Sequence, residues 1–342
     1  MSEGPAPVAQ APDALPGRRD AAAAASPGPA WGDPATMTIP WVESPFFPSL
    51  LAASELAPAL RDLAGHYAGQ GYVIIDTGIP DDLIRGVVDG LSGTYREGAH
   101  AYDSRIQDAP HEGLRRVAAW PTVLDLLRVL YRREPIPFQT LNFERGTQQR
   151  AHSDAIHFHS MPHRFMCGVW VALEDTDDAN GPLFVHPRSH RLPIYELRDL
   201  GLPVDVASYQ QYEDSVEALM TIQGLPRREV HLRRGQALVW AANLHHGGSR
   251  VLDPGRTRLS QVTHYFFADC LYYSPMGSDL VRGRIQLRRV TDLRTGTVVP
   301  HIYEGRVLEP SGTAAHPRRS RGPSALWGLL RPWRRPGPRR GA

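Results

Sequence analysis

The sequence predicts a mainly β fold with flanking α-helices: an antiparallel sandwich or barrel preceded by N-terminal helices. Three observations carry that prediction. From Phe138 onward, short runs of β-branched and aromatic residues recur between turn residues, which is the pattern of strands. Ahead of Phe138, apolar residues recur at helical spacing. The strand-rich part also holds two histidine-bearing stretches, around His152 and His246, that only a sheet closing on itself brings together.

Bulk properties narrow the function classes. The chain has 342 residues and a net charge of +2, enough for one large domain or two small ones. So small a charge gives no general attraction to nucleic acid. No run approaches the ~18 apolar residues of a membrane span. The start, MSEGPAPVAQ, lacks the basic and apolar regions of a secretory leader. Cys167 and Cys270 both sit in apolar runs, so two buried thiols and a cytoplasmic location are expected. The chain contains no lysine, which excludes any mechanism that needs one.

In chain order, residues 1–40 are rich in Ala, Pro and Gly and read as a disordered leader. The folded domain is expected over 41–309. Leu50 to Tyr67 reads as a helix with Leu51, Leu56, Leu60 and Leu63 on its core face. Gly71–Ile75 reads as a strand. A second helix opens at Pro80, with Asp81 and Asp82 in the first turn, where the helix dipole favours anions. Thr122–Tyr131 reads as another helix. Strands are expected at Thr140–Phe143, Met166–Leu173, Leu183–Val185, Glu229–Leu232, Ala237–Ala241 and Gln261–Phe267. Residues 195–223 interrupt them as a partly helical insertion, a candidate lid. The segment 310–342 has eight arginines, two tryptophans and no acidic residue. It reads as a disordered tail, with contact to anionic lipid or nucleic acid as the alternative.

The chemistry starts at His152 and Asp154. Two residues apart on extended chain, their side chains point the same way and can take two adjacent corners of one metal ion. The best third ligand is His246, although its neighbour His245 competes; on a strand only one of the two can reach the site. Two histidines and a carboxylate form the facial donor set of non-haem Fe(II) oxygenases. Gly247 and Gly248 let backbone pass close to a ligand. Downstream, Arg256 and Arg258 share one strand parity. A buried guanidinium grips a carboxylate through two parallel hydrogen bonds, and Ser260 can add a third.

Several motifs occur in one order: His152-x-Asp154, Trp170–Asp175, Asn180–Leu183, Pro187–His190, Gly235–Trp240, His246–Gly248, and Arg258-x-Ser260 leading into Thr263–Phe266. From about Gly71 to Phe267 the chain resembles the phytanoyl-CoA dioxygenase family of Fe(II)/2-oxoglutarate oxygenases. The resemblance implies a double-stranded β-helix core of the jelly-roll, cupin-like kind. It implies His152, Asp154 and His246 as metal ligands and catalytic centre, and Fe(II), 2-oxoglutarate and O2 as cofactor and cosubstrates. The family's His-Gly-Gly pattern favours His246, and its Arg-x-Ser pattern favours Arg258 with Ser260 as the 2-oxoglutarate anchor. Trp170 falls where the family places a tryptophan beside the cosubstrate. Gln139 and Asn142, on the strand before the motif, are further candidates to donate to it.

Arg150, His157 and His159 flank the metal motif and are candidate substrate contacts. His163, His186, His190 and His264 read as pocket walls or core histidines. Three departures from the family pattern weaken transfer of its founding acyl-CoA substrate: no lysine, Gly248 where some members carry serine, and a Pro187–His190 turn with arginine second. Asp154 is retained where related halogenases carry a small residue, so the resemblance implies hydroxylation of a small-molecule metabolite with release of succinate and CO2. The alternative is a non-catalytic metal-binding β-barrel acting as a sensor or scaffold.

Overall fold

A computed structural model describes residues 8–10, 33, 36–98 and 105–308. Most of the expected leader and all of the 310–342 tail lie outside the described residues. Val8–Gln10 (β1) is an exception to the disordered leader: it pairs in parallel with Tyr72–Asp76 (β2).

Six helices are described: α1 (Phe47–Ala52), α2 (Pro58–Gln70), α3 (Asp81–Gly98), α4 (Glu112–Ala118), α5 (Pro121–Tyr131) and α6 (Tyr209–Ile222). The single helix expected over Leu50 to Tyr67 is two. Pro58 lacks an N–H and its ring clashes with the preceding turn, so it starts a helix and cannot sit inside one. α2 accordingly begins at Pro58, and Leu51 and Leu56 are only half-buried. The acidic start of α3 is as expected, with Asp81 and Asp82 in its first turn.

The further strands up to residue 273 are β3 (Arg105–Gln107), β4 (Pro135–Phe143), β5 (His159–Met161), β6 (Met166–Ala172), β7 (Leu183–Val185), β8 (Arg228–Val230), β9 (Gln236–Ala241), β10 (His246–Gly248), β11 (Ser260–Phe267) and β12 (Leu271–Tyr273); four short strands follow over 290–308. One seven-stranded sheet runs β1-β2-β9-β6-β11-β4-β3, and a three-stranded sheet runs β10-β7-β8. A two-stranded sheet pairs β12 with β5. All pairs except β1 with β2 are antiparallel.

Side chains alternate across a strand, and the large sheet uses both faces. Val73, Ile75, Val169, Val171, Ala237 and Val239 point into a core shared with the helices, through Leu63, Tyr67, Val87, Leu127 and Leu130. The alternate residues Tyr72, Ile74, Trp170, Ala172, Leu238 and Trp240 point the other way. There they meet Leu183, Val185 and Val230 of the small sheet. The space between the two sheets is where the site forms. Cys167 and Cys270 are both free and buried. No helix among the described residues is long and apolar enough to cross a membrane.

Candidate metal centre

His152 and His246 are joined by an antiparallel bridge. Each backbone N–H donates to the other's carbonyl at 3.0 Å. The bridge places the two imidazoles side by side, with ring centroids 4.5 Å apart. Ser153 is extended, and Asp154 opens a short 3-10 turn. That turn is pinned where the chain leaves β9: the Ser153 hydroxyl and the Ala155 N–H both donate to the Ala242 carbonyl. His152 Nε2 lies 3.8 Å from Asp154 Oδ1, and His246 Nε2 lies 3.9 Å from Asp154 Oδ2. One donor atom from each of the three falls within 4.8 Å of the others, a grouping that could hold a metal ion.

The protonation states suit a metal. A carbonyl can only accept, so His152 Nδ1–H donates to the Arg150 carbonyl and His246 Nδ1–H to the Leu244 carbonyl, each at 2.9 Å. Both Nε2 atoms are thereby left as lone-pair donors. Burial, with the neighbouring His246 imidazole adding to it, pushes the His152 pKa down to about 3. The Asp154 carboxyl is held well below the usual carboxylate range: burial raises it, but the three imidazoles around it more than compensate. Neutral imidazole and ionised carboxylate are the forms that ligate.

Two residues that the sequence did not connect with Asp154 lie against its carboxylate. Trp240 donates its indole N–H to Asp154 Oδ2 at 2.8 Å. His264 Nε2 lies 3.6 Å from the same oxygen, while its Nδ1 pairs with Gln139 Oε1 at 3.0 Å. Trp240 fits because residue 168, its direct partner across β6 and β9, is glycine. A Cβ there would come within 2.2 Å of the indole.

Arg258 lines the same pocket as the triad, with Trp170, Gln149 and Arg105. It is 1% exposed and makes no ion pair among the described residues. Nη1 donates to the Gly181 carbonyl at 3.1 Å, and Nε has no partner. Burial pushes its pKa down to about 10. Arg256 instead pairs at the surface with Asp177, so the buried arginine is Arg258. Trp170 is fully buried with its indole N–H also unpartnered.

The remaining candidates fall elsewhere. Ser260 is on the pocket-facing parity of β11, but its hydroxyl donates to the Arg258 carbonyl. Gln139 bonds His264 rather than pocket space. Asn142 is not brought to the pocket: Leu141 and Phe143 face inward, so Asn142 faces outward and donates to the Ile106 carbonyl. Arg150 pairs with Asp214 and Glu217 of α6. His157 meets the Tyr209 hydroxyl at 3.2 Å, and His159 meets His163 at 2.9 Å. None of these three lines the pocket. Gly247 makes room for protein as well as pocket, since a Cβ there would strike the Gln149 carbonyl and the Phe184 ring. A wider groove of about 410 Å³, between 198–205 and Arg282 with Arg284, shares no residue with this pocket.

Residues 94–258 match the phytanoyl-CoA dioxygenase (PhyH) family. The segment is a phytanoyl-CoA dioxygenase family domain. Solved structures share the chain's fold. The non-heme alpha ketoglutarate dependent epimerase SnoN from nogalamycin biosynthesis superposes with a TM-score of 0.51 and 21% identity, over 74% of this chain and 96% of its own. The carbocyclase SnoK of the same biosynthesis gives 0.52 and 19%, over 64% and 87%. EctD from S. alaskensis with 2-oxoglutarate and 5-hydroxyectoine gives 0.51 and 18%, over 71% and 88%. No curated protein matches the sequence. The family match ends at Arg258, so both histidines of the triad, Asp154 and the buried arginine all lie inside it.

Proposed function

We propose that the protein is an Fe(II)- and 2-oxoglutarate-dependent oxygenase that hydroxylates a small-molecule substrate. His152, Asp154 and His246 hold the metal, on sheets read as a double-stranded β-helix. The observation that carries the reading is Arg258. Leaving a guanidinium buried without a close counter-charge costs several kcal/mol; Glu174 acts on Arg258 only at longer range, no carboxylate among the described residues pairs with it directly, and its Nε has no partner. An anionic ligand in the shared pocket removes that cost. A dicarboxylate long enough to reach from Arg258 to the triad fits both ends. SnoN and EctD have been crystallised with iron, and with alpha ketoglutarate or 2-oxoglutarate, which agrees with this donor set.

When bound, ferrous iron with 2-oxoglutarate and O2 supplies the oxidation, one oxygen atom going to the substrate and one to succinate as CO2 leaves. The chain's own part is positional. Arg258 fixes the distal carboxylate of the keto acid through charge-assisted hydrogen bonds. Trp170 walls that end of the pocket and offers its unpartnered N–H. The two Nδ1–H bonds aim the imidazoles, and Trp240 holds one carboxylate oxygen of Asp154, leaving Oδ1 for the metal. The neighbours include an epimerase and a carbocyclase; the intact Asp154 favours hydroxylation over halogenation.

The test is anaerobic addition of Fe(II) and 2-oxoglutarate, followed by air. A weak visible charge-transfer band and then succinate are expected from the wild type. Both should be absent from Asp154→Ala. Equal succinate from that variant would sink the reading.

A further inference from the structure

Two of the three proposed ligands lie on one short segment, 150–157, and helix α6 is fastened to that segment at several points. The Arg150 guanidinium meets Glu217 with two parallel hydrogen bonds, Nε to Oε1 at 2.9 Å and Nη2 to Oε2 at 2.6 Å. Its third arm, Nη1, donates to Asp214 Oδ1 at 2.7 Å. Ala151 and Ile156 pack with Tyr209, Tyr212 and Val216 of α6. His157 meets the Tyr209 hydroxyl. Meanwhile the Arg150 backbone carbonyl receives the His152 Nδ1–H. One residue therefore joins the helix by its side chain and a ligand imidazole by its backbone.

We propose that Arg150 is a positioning residue: by clamping α6, it sets where its own carbonyl sits and so aims the His152 imidazole at the metal. This rests on the metal-centre reading above. The chemistry supports a geometric role over a stabilising one. An ion pair with partners this exposed, 59% for Asp214 and 49% for Glu217, adds little to stability. A planar, bidentate fork does fix orientation. An acceptor on a ligand histidine sets its tautomer and ring angle, and disturbing such an acceptor costs about 10–100-fold in metal affinity. Arg150 was a candidate substrate contact by its place beside the metal motif. With all three arms on α6, it acts through His152 instead. The insertion that carries α6 is then a buttress of the metal site.

The experiment measures Co(II) affinity of the full chain by titration, without turnover. It uses the wild type, Arg150→Ala, the helix-side double variant Asp214→Asn/Glu217→Gln, and the combination of all three. His152→Ala is the control. Failure of the wild type to bind Co(II), or full binding by His152→Ala, would remove the metal-centre reading itself. Given metal binding, Arg150→Ala is expected to weaken it by about tenfold. The helix-side variant should weaken it as much, and the combination no further, because all three break one clamp. The helix-side variant changes only exposed groups, so it carries the test if Arg150→Ala does not fold. Affinity within twofold of wild type in the helix-side variant, or additive losses in the combination, would overturn the proposal.

Discussion

His152 and His246 hydrogen-bond to one another through their backbones, N–H to carbonyl in both directions. This pairing, 94 positions apart in the chain, decides which of the two adjacent histidines reaches the site. The residue bridged to His152 presents its ring beside it, and His245 is turned away, with its backbone N–H on Ser189. His246→Ala should therefore lower metal affinity by more than about 100-fold, beyond the usual cost of an outer partner. His245→Ala should leave it within a few-fold. Titration of both variants with Co(II) measures the contrast.

Asp154 can present one oxygen to a metal because the other is held. Trp240→Phe keeps an aromatic ring but deletes the N–H that holds Oδ2. Metal affinity or turnover should fall by about 10–100-fold, with some loss of fold stability because the smaller ring leaves a gap in a fully buried site. Gly168→Ala should reach a similar end from the other strand, because its new methyl displaces the indole. Metal titration and melting of both variants separate the two effects.

These supports show what the sequence could and could not tell. Strand positions were readable because period-two alternation is local: Leu183–Val185 is found where expected, and Ala237–Ala241 within one residue. The triad was readable because family motifs mark it. Asn142 could have been set aside by the same alternation, since Leu141 and Phe143 leave it on the outer face. Nothing local in the sequence says that the indole of Trp240 meets a carboxylate 86 positions earlier. Nor does it say that Arg150 spends its charge on α6; both are tertiary facts. α4, seven residues long, is too short to show a helical period.

Arg258 should pull stability and function in opposite directions. A buried unpaired guanidinium destabilises the ligand-free protein, and replacing buried charge by an apolar side chain of similar volume often stabilises by about 1–4 kcal/mol. Arg258→Met should then raise the melting temperature of the ligand-free protein. It should also raise the KM for 2-oxoglutarate by about tenfold or more, since a hydrogen bond to a charged group is worth about 1.5–3 kcal/mol. Arg258→Lys should recover only part of the affinity, because an ammonium cannot form the fork. Calorimetry and succinate assays at varied 2-oxoglutarate test the pair.

Glu213 on α6 gives the molecule a pH dependence of known sign. Burial pushes its carboxyl up to about 7, against the opposing pull of Arg150. The folded state therefore keeps a proton that the unfolded state gives up near 4.5. Below pH 4.5 both states are protonated and Glu213 costs nothing. As pH rises from there to 7, only the unfolded chain ionises, so stability is lost across that window and stays lost above it. The loss is at most on the order of 3 kcal/mol for a shift of this size. Glu213→Gln removes the titration. Its melting temperature should match wild type near pH 4.5 and exceed it increasingly up to pH 7, levelling off above. Parallel melting curves of the two proteins that stay the same distance apart across pH 4.5–7 would show that Glu213 does not titrate as the structure requires.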